Sequence, residues 1–550
     1  MLNSEIKNKI QLLWDRLWGG GLTNPITAIE QISYLLFMKR LEKFHPEVEE
    51  KYKWSTYNSF KGLDLKNRIV EVFTFVQNDL AKEDEPFAIE MKKAKFGIET
   101  PSLIEDTIKI IDEIFAKIEE EEKDKNQHFQ DTLGDVYEYL LRATNEAGKN
   151  GQFRTPRHII QMMAELLQPN IDNENVKICD VTSGTSGFLV GAFQYLVKES
   201  SKVIELDEEN QLEKGLDGTN LTTEKKKKLI ENTFFGFDID STMVRIGMMN
   251  MMMHGITKPK INHINTLSDE YEKLMGKNFK EQIAVDNLVN GRREAKVKHS
   301  ETKDLDHSKS NTHGKDEFSY ILANPPFAAK VNSKSISSNL NRIYDIKSDA
   351  KKTQSLQTEL LFLERIIYML KDEGKAIVIV PEGVLFNSGK AYKKAREILL
   401  KDCDLEAVIS MPSGVFNPYT AVKTSIILFT KKQFKSKIYH TKKVWFYEMK
   451  SDGYTLDTNR KKLIGNYPLP VTISEFKTRK SKPQKDRRHK HFYVPIKEIE
   501  ENKLELNINL YKEYIFEEQE YDPPTLLLEK LLTIEDEINK GLTHLKSIIE

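Results

Sequence analysis

Cysteine is almost absent from this sequence, which contains only Cys179 and Cys403 among 550 residues. The two lie far apart and have no metal-ligand spacing, so a disulfide framework and a cysteine-based metal site are excluded. The histidines show no metal-like spacing either, and we expect no metal. This cysteine usage suits a reducing cytoplasm.

Long apolar runs are also lacking, since no stretch approaches the roughly 18 residues that cross a membrane. The first residues, Met1–Lys7, lack the apolar core of a signal peptide, so we expect a cytoplasmic protein without a membrane segment. An excess of charge is missing as well. The net charge of −1 excludes a globally basic DNA coat but leaves room for local basic patches.

Residues 1–147 predict a helical domain, one of the two or three domains expected at this chain length. Ser102–Glu105 has the pattern of a helix-capping box. Behind it, apolar residues recur at steps of three and four, which predicts a buried helix face. No catalytic constellation is visible here, and the domain is expected to dock or to cover DNA. The apolar stripe consists of Ile104, Ile108, Ile111, Phe115 and Ile118.

The central region alternates predicted strands and helices, which indicates a doubly wound α/β fold with a mostly parallel sheet. The first unit is a strand at Val176–Asp180, a turn of small residues and a helix at Phe188–Val197. Further strands are predicted at Thr233–Asp238 and His263–Leu267. In such folds the ligand binds at the carboxyl ends of the strands.

Acidic residues end two of these strands. Asp180 stands beside a turn in which Gly184 and Gly187 permit close backbone approach. A carboxylate there favours a cationic ligand over a pyrophosphate, and S-adenosylmethionine carries an ammonium and a sulfonium. Asp238 ends the next strand, where a carboxylate can accept both hydroxyls of a ribose.

The run Ile321–Phe327 takes an apolar strand into a rigid turn made of Asn324, Pro325, Pro326 and Phe327. An amide, carbonyls that need partners and a flat aromatic face could together grip a planar ring with an exocyclic amine. Taken alone, these four residues are equally compatible with an ordinary turn at the end of a strand.

Three later segments have a distinctive composition. A polar insertion spans about 276–316, and its Lys/His-rich part, 296–315, predicts a long surface loop. The basic segment 477–491 could be simply solvated or could contact phosphates. The final helix carries an apolar seam that predicts a partner coiled coil. The seam consists of Leu531, Ile534, Ile538, Leu542, Leu545 and Ile549.

The order of these motifs resembles the methyltransferases that modify adenine N6 in DNA, and most closely the modification subunit of type I restriction-modification systems. Asn24–Ile32, Gly151–Arg157 and Met411–Phe416 also look like that family. The resemblance implies a Rossmann-like S-adenosylmethionine-dependent core. The implied domains are 1–147, helical; 148–470, catalytic; and 471–550, a basic segment with a partner-binding helix.

Carried over to matching positions, the resemblance implies a role for each site residue. The methionine end of S-adenosylmethionine would meet Gln152, Phe153, Arg154, Thr155, Pro156 and Arg157. Its amino-acid part would lie against Asp180, Gly184, Thr185, Ser186 and Gly187, and its ribose against Asp238. In the catalytic motif, Asn324 and the Pro325 carbonyl, next to Pro326, would hold the adenine amine, and Phe327 would stack on the flipped base.

The resemblance also implies double-stranded DNA, a specificity subunit, a restriction subunit and a second modification subunit as partners. Two positions depart from the family pattern: Val181 stands where proline is usual, and Asn265 where many relatives have aspartate. The altered cofactor loop leaves a catalytically silent DNA-binding or assembly scaffold as an alternative. A stand-alone amino-methyltransferase is another, since the Asn-Pro-Pro-aromatic motif also serves glutamine amides in proteins.

Overall fold

The computed structural model describes residues 4–80, 85–125, 129–146, 155–172, 175–215, 218–276, 314–344, 353–514 and 523–549. The predictions for Gln152, Phe153 and Arg154, and for most of the 296–315 loop, lie outside these residues. The chain divides into two compact units, Met1–Tyr511 and Lys512–Glu550.

Helices make up the N-terminal part of the first unit, as the apolar periodicity predicts. Helix α1 buries a stripe at three- and four-residue steps and packs against α5, whose predicted stripe is also buried. Two short 3-10 turns, Glu50–Tyr52 and Trp54–Ser59, connect α2 to α3. The helices are α1 (Ser4–Gly19), α2 (Pro25–Phe44), α3 (Gly62–Asn78), α4 (Pro86–Met91), α5 (Pro101–Lys125) and α6 (Phe129–Glu146).

The capping-box prediction at Ser102 is wrong. Helix α5 begins at Pro101, so Ser102 already lies inside its first turn. Glu105 instead accepts a hydrogen bond from the backbone N–H of Gly62, which ties α5 to the start of α3. A proline at the first helical position needs no N–H partner, which explains why the helix starts at Pro101, two residues before the start that the capping box predicts.

A mixed sheet of nine strands forms the centre of the first unit, in the order β13-β12-β10-β11-β9-β6-β1-β4-β5. Two hairpins, β2–β3 and β7–β8, lie outside it. The strands are β1 (Ile178–Asp180), β2 (Ile204–Leu206), β3 (Glu213–Gly215), β4 (Phe234–Asp238), β5 (Lys260–His263), β6 (Phe318–Ala323), β7 (Lys330–Asn332), β8 (Ser355–Gln357), β9 (Leu370–Pro381), β10 (Cys403–Ser410), β11 (Thr424–Lys431), β12 (Lys443–Glu448) and β13 (His491–Pro495).

Helices cover both faces of this sheet, which confirms the doubly wound class. Along β6, Leu322 belongs to the core beneath one face, whereas Ile321 and Ala323 belong to the core beneath the other. The covering helices are α7 (Arg157–Leu167), α8 (Gly187–Glu199), α9 (Thr223–Asn232), α10 (Ser241–Met253), α11 (Thr358–Met369), α12 (Gly383–Phe386), α13 (Lys390–Asp402), α14 (Pro468–Thr478), α15 (Ile496–Glu501) and α16 (Ile508–Tyr511).

The half of the sheet from β9 to β5 is parallel, and it brings the predicted strand ends together. Strand β1 lies between β4 and β6, with Ile178 opposite both Phe234 and Tyr320. Asp180, Asp238 and the residue after β6 therefore meet at one edge. Beyond β9 the sheet is mixed, because β11 runs against both β9 and β10 while β12 is parallel to β10.

Two sequence-based boundaries differ from the structure. The strand predicted at His263–Leu267 runs instead over Lys260–His263 and ends where the prediction began. Strand β13 pairs with β12 at the edge of the main sheet, so the sheet continues past the domain boundary drawn at residue 470. Residues up to Tyr511 belong to the first unit.

The basic segment 477–491, which begins in the last turn of α14, is largely neutralised by carboxylates of the same unit. Its side chains form ion pairs of 2.5–3.0 Å, which favours a structural role over phosphate contact for these five residues. The pairs are Lys477–Glu165, Arg479–Glu406, Arg487–Glu498, Arg488–Asp486 and Lys490–Glu475.

The second unit contains the helix α17 (Pro524–Ile549). The seam residues Leu531, Ile534, Ile538, Leu542 and Leu545 are each more than half exposed. Within the described ranges, the chain has no helix whose length and apolar content would let it span a membrane.

Candidate active site

A cavity of about 600 Å³ opens at the carboxyl edge of β1, β4 and β6. It is the place where the fold class predicts a ligand. Polar groups from the three strand ends converge on it, while its walls are largely apolar, as in most small-molecule sites. The predicted site residues that line it are Thr155, Asp180, Gly184, Thr185, Gly187, Asp238, Asn324, Pro325, Pro326 and Phe327.

The loop between β1 and α8 is tied to the end of β4. The Ser183 N–H donates to the Phe237 carbonyl at 2.8 Å, and the Gly184 N–H donates to Asp238 Oδ2 at 2.8 Å. Gly184 has a φ of +48°, which glycine adopts without strain. Ser186 is also left-handed, at +60°, and its N–H closes the turn onto the Ser183 carbonyl at 2.6 Å.

Two glycines outside the loop leave room for it. A Cβ on Gly247 of α10 would lie 2.5 Å from Ser186 Oγ and 2.9 Å from the Gly184 carbonyl. A Cβ on Gly236 of β4 would lie 2.9 Å from Ser183 Cβ. Neither position stands out in the sequence, because each glycine sits within an otherwise ordinary element.

Asp180 is buried and carries a strongly perturbed carboxyl. Burial raises its pKa to about 8, a shift that the Thr182 N–H at 3.0 Å opposes and the charge of Asp238 reinforces. A carboxyl with this pKa is mostly protonated near neutral pH until a cation is placed beside it. Asp180, the residue predicted to face an ammonium group, would therefore ionise fully only when a cation lies beside it.

Asp238 has a different environment. Its Oδ2 accepts from Gly184 and its Oδ1 accepts from the Asp240 N–H at 2.9 Å, so the carboxylate also holds the loop. Burial raises the pKa of Asp238, and these backbone hydrogen bonds counteract the rise. Each oxygen retains a second lone pair, which suits acceptance of ribose hydroxyls.

Asn324 follows β6 directly and faces the cavity. Its Nδ2 donates to Thr155 Oγ1 at 3.0 Å. Its Oδ1 is shielded from bulk solvent and accepts no hydrogen bond from any described residue. Beyond it, Thr358 at the start of α11 pins the turn, because its N–H and hydroxyl donate to the Ala329 carbonyl at 3.0 and 3.1 Å.

Phe327 is half-buried at the cavity wall. Its ring meets that of Phe416 edge to face, with 5.8 Å between centroids and 88° between planes. Phe416 comes from the Met411–Phe416 run, and Tyr419 from the same loop also lines the cavity. The sequence marks this run as a family motif without assigning it this contact.

Among the described residues of the predicted segment Gln152–Arg157, Thr155 lines the cavity. Pro156 stands at the start of α7, where its ring suits the first turn. Arg157 binds Asp135 of α6 through Nη1 at 2.7 Å and is not among the described residues that line the cavity. Of this predicted segment, Thr155 is the residue that the structure places at the site.

Comparison with known families matches residues 6–520 of the chain. The model of the family described as N-6 DNA Methylase matches residues 128–520, and that of the HsdM N-terminal domain matches residues 6–152. The chain belongs to the N-6 DNA methylase family. The fold class and the family resemblance predicted from the sequence are thereby confirmed, together with S-adenosylmethionine as the methyl donor.

Curated relatives of the chain include methylase subunits of type I restriction enzymes. The EcoEI methylase subunit of Escherichia coli is 26% identical over 446 residues, covering 78% of this chain and 74% of that protein. The StySJI methylase subunit of Salmonella typhimurium is 24% identical over 471 residues, covering 82% and 72%.

Solved structures share the fold of the N-6 DNA methylase chain. One, from a study of complex assembly and conformational transition in the type I R-M system, has a TM-score of 0.59 at 22% identity and covers 100% of this chain and 98% of its own. The type I methyltransferase subunit from Streptococcus thermophilus has a TM-score of 0.56 at 18% identity, covering 92% and 98%.

The cavity is also lined by residues that the sequence did not mark. Pro25, Ile26 and Ile29 of α2 and Leu141 of α6 form an apolar wall of the cavity. Periodicity predicts that Ile29 is buried, but it cannot show that one side of that burial is a ligand cavity. The helical domain, in which no catalytic constellation was visible, thus supplies part of the pocket.

A buried ion pair fixes this wall. Arg245 of α10 donates from Nε to Glu30 Oε1 at 2.7 Å and to Tyr34 Oη at 3.1 Å, both on α2. Arg245 also binds Ser241 and Thr242 of its own helix. These bonds join the helical domain to the helix that follows Asp238.

The two departures from the family pattern are accommodated locally. The Val181 carbonyl accepts from the Thr266 hydroxyl at 3.2 Å, which links the loop after β1 to the segment after β5. Asn265 uses its Oδ1 to accept the Leu267 N–H at 3.0 Å. Both residues line the cavity. The two hydrogen bonds hold the altered loop in a fixed shape.

Proposed function

We propose that this protein transfers the methyl group of S-adenosylmethionine to the N6 amine of an adenine flipped out of duplex DNA. It would do so as the modification subunit of a type I restriction-modification complex. The observation that carries the proposal is the convergence of Asp180, Asp238 and Asn324 at one cavity. Each stands at or directly after the end of a neighbouring parallel strand.

The cofactor part of the cavity fits S-adenosylmethionine. The hydroxyls of Thr182 and Ser183 are buried without a hydrogen-bond partner among the described residues, and Gly184 brings backbone close to the ligand space. We assign the ammonium group to Asp180, because a buried carboxyl of raised pKa gains most from an added cation. Asp238 would accept from the ribose hydroxyls.

S-adenosylmethionine supplies a methyl group already activated by the sulfonium, so the residues mainly position and polarise the acceptor. The lone pair of the adenine amine is delocalised into the ring. Asn324 Oδ1 and the Pro325 carbonyl would each accept one N–H, which favours a geometry with the lone pair directed at the methyl group. No nucleophilic side chain is needed for this transfer.

Flipping the adenine out of the duplex costs a few kcal/mol. Stacking on Phe327 would offset about 1–3 kcal/mol of that cost. The contact with the Phe416 ring would hold the Phe327 ring in place before the base arrives. A held surface loses less entropy on binding than a mobile one.

We further propose that sequence choice lies in other subunits. The relatives include methylase subunits of type I restriction enzymes, and the net charge of −1 is poorly suited to DNA binding by the chain alone. A specificity subunit would read the site, and a restriction subunit and a second modification subunit would complete the complex. The exposed apolar seam of α17 supports such assembly.

A cytoplasmic location is part of this proposal, since both cysteines are buried and unpaired with each other, as in a reducing compartment.

Transfer of tritiated methyl groups tests the proposal. The chain co-purified with its specificity subunit should label duplex DNA at adenine N6, whereas the chain alone should label it weakly. Labelling of protein instead of DNA would contradict the substrate assignment. Equal and site-specific labelling by the isolated chain would contradict the dependence on a specificity subunit.

A further inference from the structure

We propose that Thr155 is a positioning residue for methyl transfer, in addition to lining the cofactor part of the cavity. Its hydroxyl accepts the Asn324 amide N–H and thereby turns the carboxamide oxygen toward the adenine amine. This inference rests on the proposed function, since it concerns how Asn324 receives its substrate.

The structure shows the Asn324 carboxamide in one of its two possible orientations, with its nitrogen bound to the Thr155 hydroxyl. Asn324 Nδ2 donates to Thr155 Oγ1 at 3.0 Å, across 169 residues of sequence. A carboxamide can rotate by half a turn, and the two orientations exchange a donor for an acceptor. With the nitrogen bound to Thr155, the oxygen is the end that remains available. It is buried and has no partner among the described residues.

The orientation matters because an adenine amine presents only N–H donors to this side chain in its ground state. An amide turned the other way would set donor against donor and leave both unsatisfied, a costly arrangement in a buried site. Accepting a hydrogen bond at the hydroxyl also polarises the amide, so its oxygen becomes a better acceptor. The Thr155 methyl group contributes nothing to either effect.

Two ion clusters hold the backbone on which Thr155 sits, so its hydroxyl is a fixed reference point. On one side, Asp135 of α6 binds Arg157 at 2.7 Å and Lys214 of β3 at 3.1 Å. On the other, His158 Nε2 lies 2.9 Å from Asp452 Oδ2, and its ring stacks on Tyr454. Thr155 itself is buried.

The test compares Thr155→Val, which removes the hydroxyl and keeps the shape, with Thr155→Ser, which keeps the hydroxyl. Thr107→Val is the matched control, because Thr107 is equally buried but its hydroxyl donates within α5, away from the cavity. Each variant is purified with the specificity subunit. Calorimetry gives the S-adenosylmethionine dissociation constant, and single-turnover methylation of duplex DNA gives the rate of the chemical step.

We expect Thr155→Val to slow the single-turnover rate by about tenfold or more, the effect of one lost buried hydrogen bond. Its cofactor dissociation constant should stay within about threefold of wild type. Thr155→Ser and Thr107→Val should match wild type in both. Should Thr155→Val fail to fold, Thr155→Ala has the same expected results.

Three outcomes overturn the inference. A wild-type rate in Thr155→Val shows that the hydroxyl does not position Asn324. A loss of cofactor binding as large as the loss of rate assigns the hydroxyl to the cofactor alone. A Thr155→Ser variant as slow as Thr155→Val assigns the effect to packing. Failure of the proposed function is distinguishable from all three, because the wild-type complex itself would then transfer no methyl group to DNA.

Discussion

The carboxyl of Asp180 couples cofactor binding to pH. Its pKa is raised to about 8 by burial, so at pH 7 about nine-tenths of the free protein carries it protonated. A cation placed beside the carboxyl favours the ionised form and lowers that pKa. Binding of S-adenosylmethionine at pH 7 should therefore release nearly one proton from this residue.

The magnitude follows from the size of the shift. Below pH about 8, each unit by which the pH falls should weaken the contribution of Asp180 to cofactor binding by about tenfold. Above pH about 8 this contribution should level off. The ligand has its own titrating groups, so the informative quantity is the ratio of dissociation constants between Asp180→Asn and wild type. Ligand titration affects both proteins equally and cancels in that ratio.

The free energy of unfolding is an independent readout, because the contribution of Asp180 to it falls with rising pH whereas its contribution to binding rises. A carboxyl whose pKa is higher in the folded than in the unfolded protein stabilises the fold fully at pH below about 4, the usual range of aspartate. That stabilisation is lost as pH rises through about 8, by at most about 1.4 kcal/mol per unit. The free wild type should thus lose stability relative to Asp180→Asn between pH 5 and 8.

Calorimetry in buffers of different ionisation enthalpy measures the released protons, and the same titrations at pH 6, 7 and 8 give the ratio. Asp180→Asn suits the comparison because asparagine can still accept the Thr182 N–H. A ratio that does not change with pH, or binding without proton release in the wild type, would refute the assignment of Asp180 to the ammonium group.

Other predictions concern the walls of the site. Phe416→Ala should lower the rate of DNA methylation by about threefold to tenfold, which corresponds to the loss of one aromatic pair. The cofactor dissociation constant should stay unchanged, and a changed constant would contradict this prediction. Gly247→Ala should weaken cofactor binding by more than about tenfold, because its Cβ would clash with Ser186 Oγ. Gly541→Ala, which has open space around it, should leave the cofactor dissociation constant, measured by calorimetry, unchanged. Glu30→Ala removes the nearer carboxylate of the buried Arg245, at 2.6 Å, and leaves Glu90 at 4.0 Å. The variant should reduce the free energy of unfolding by about 3 kcal/mol, measured by denaturant titration; an unchanged value would show that the Glu30–Arg245 pair does not hold the wall.

The parts of the site that lie at strand ends could be predicted from the sequence. Asp180, Asp238 and Asn324 each come at or just after the end of a short apolar run, and parallel strands must bring such ends to one edge. The pattern was less informative where strands are short or polar. Strand β5 contains Lys260 and His263, so the apolar residues that follow it drew the prediction three residues too late.

Long-range contacts explain what the sequence could not show. Periodicity identifies Ile29 as inward-facing, but its neighbour is a cavity wall formed with Met243 and Ile246 of a distant helix. The Asn324–Thr155 bond and the Phe327–Phe416 contact likewise join segments far apart in the chain. Strand β13 was missed because it follows a charged segment whose cations are paired only in the folded unit.

The central claim is that Asn324 receives the adenine amine, and one comparison tests it directly. Asn324→Ala, purified with the specificity subunit, should bind S-adenosylmethionine within about threefold of wild type by calorimetry. It should transfer no detectable tritiated methyl groups to duplex DNA under conditions where the wild-type complex labels adenine N6. Methyl transfer by Asn324→Ala at the wild-type rate would contradict the account.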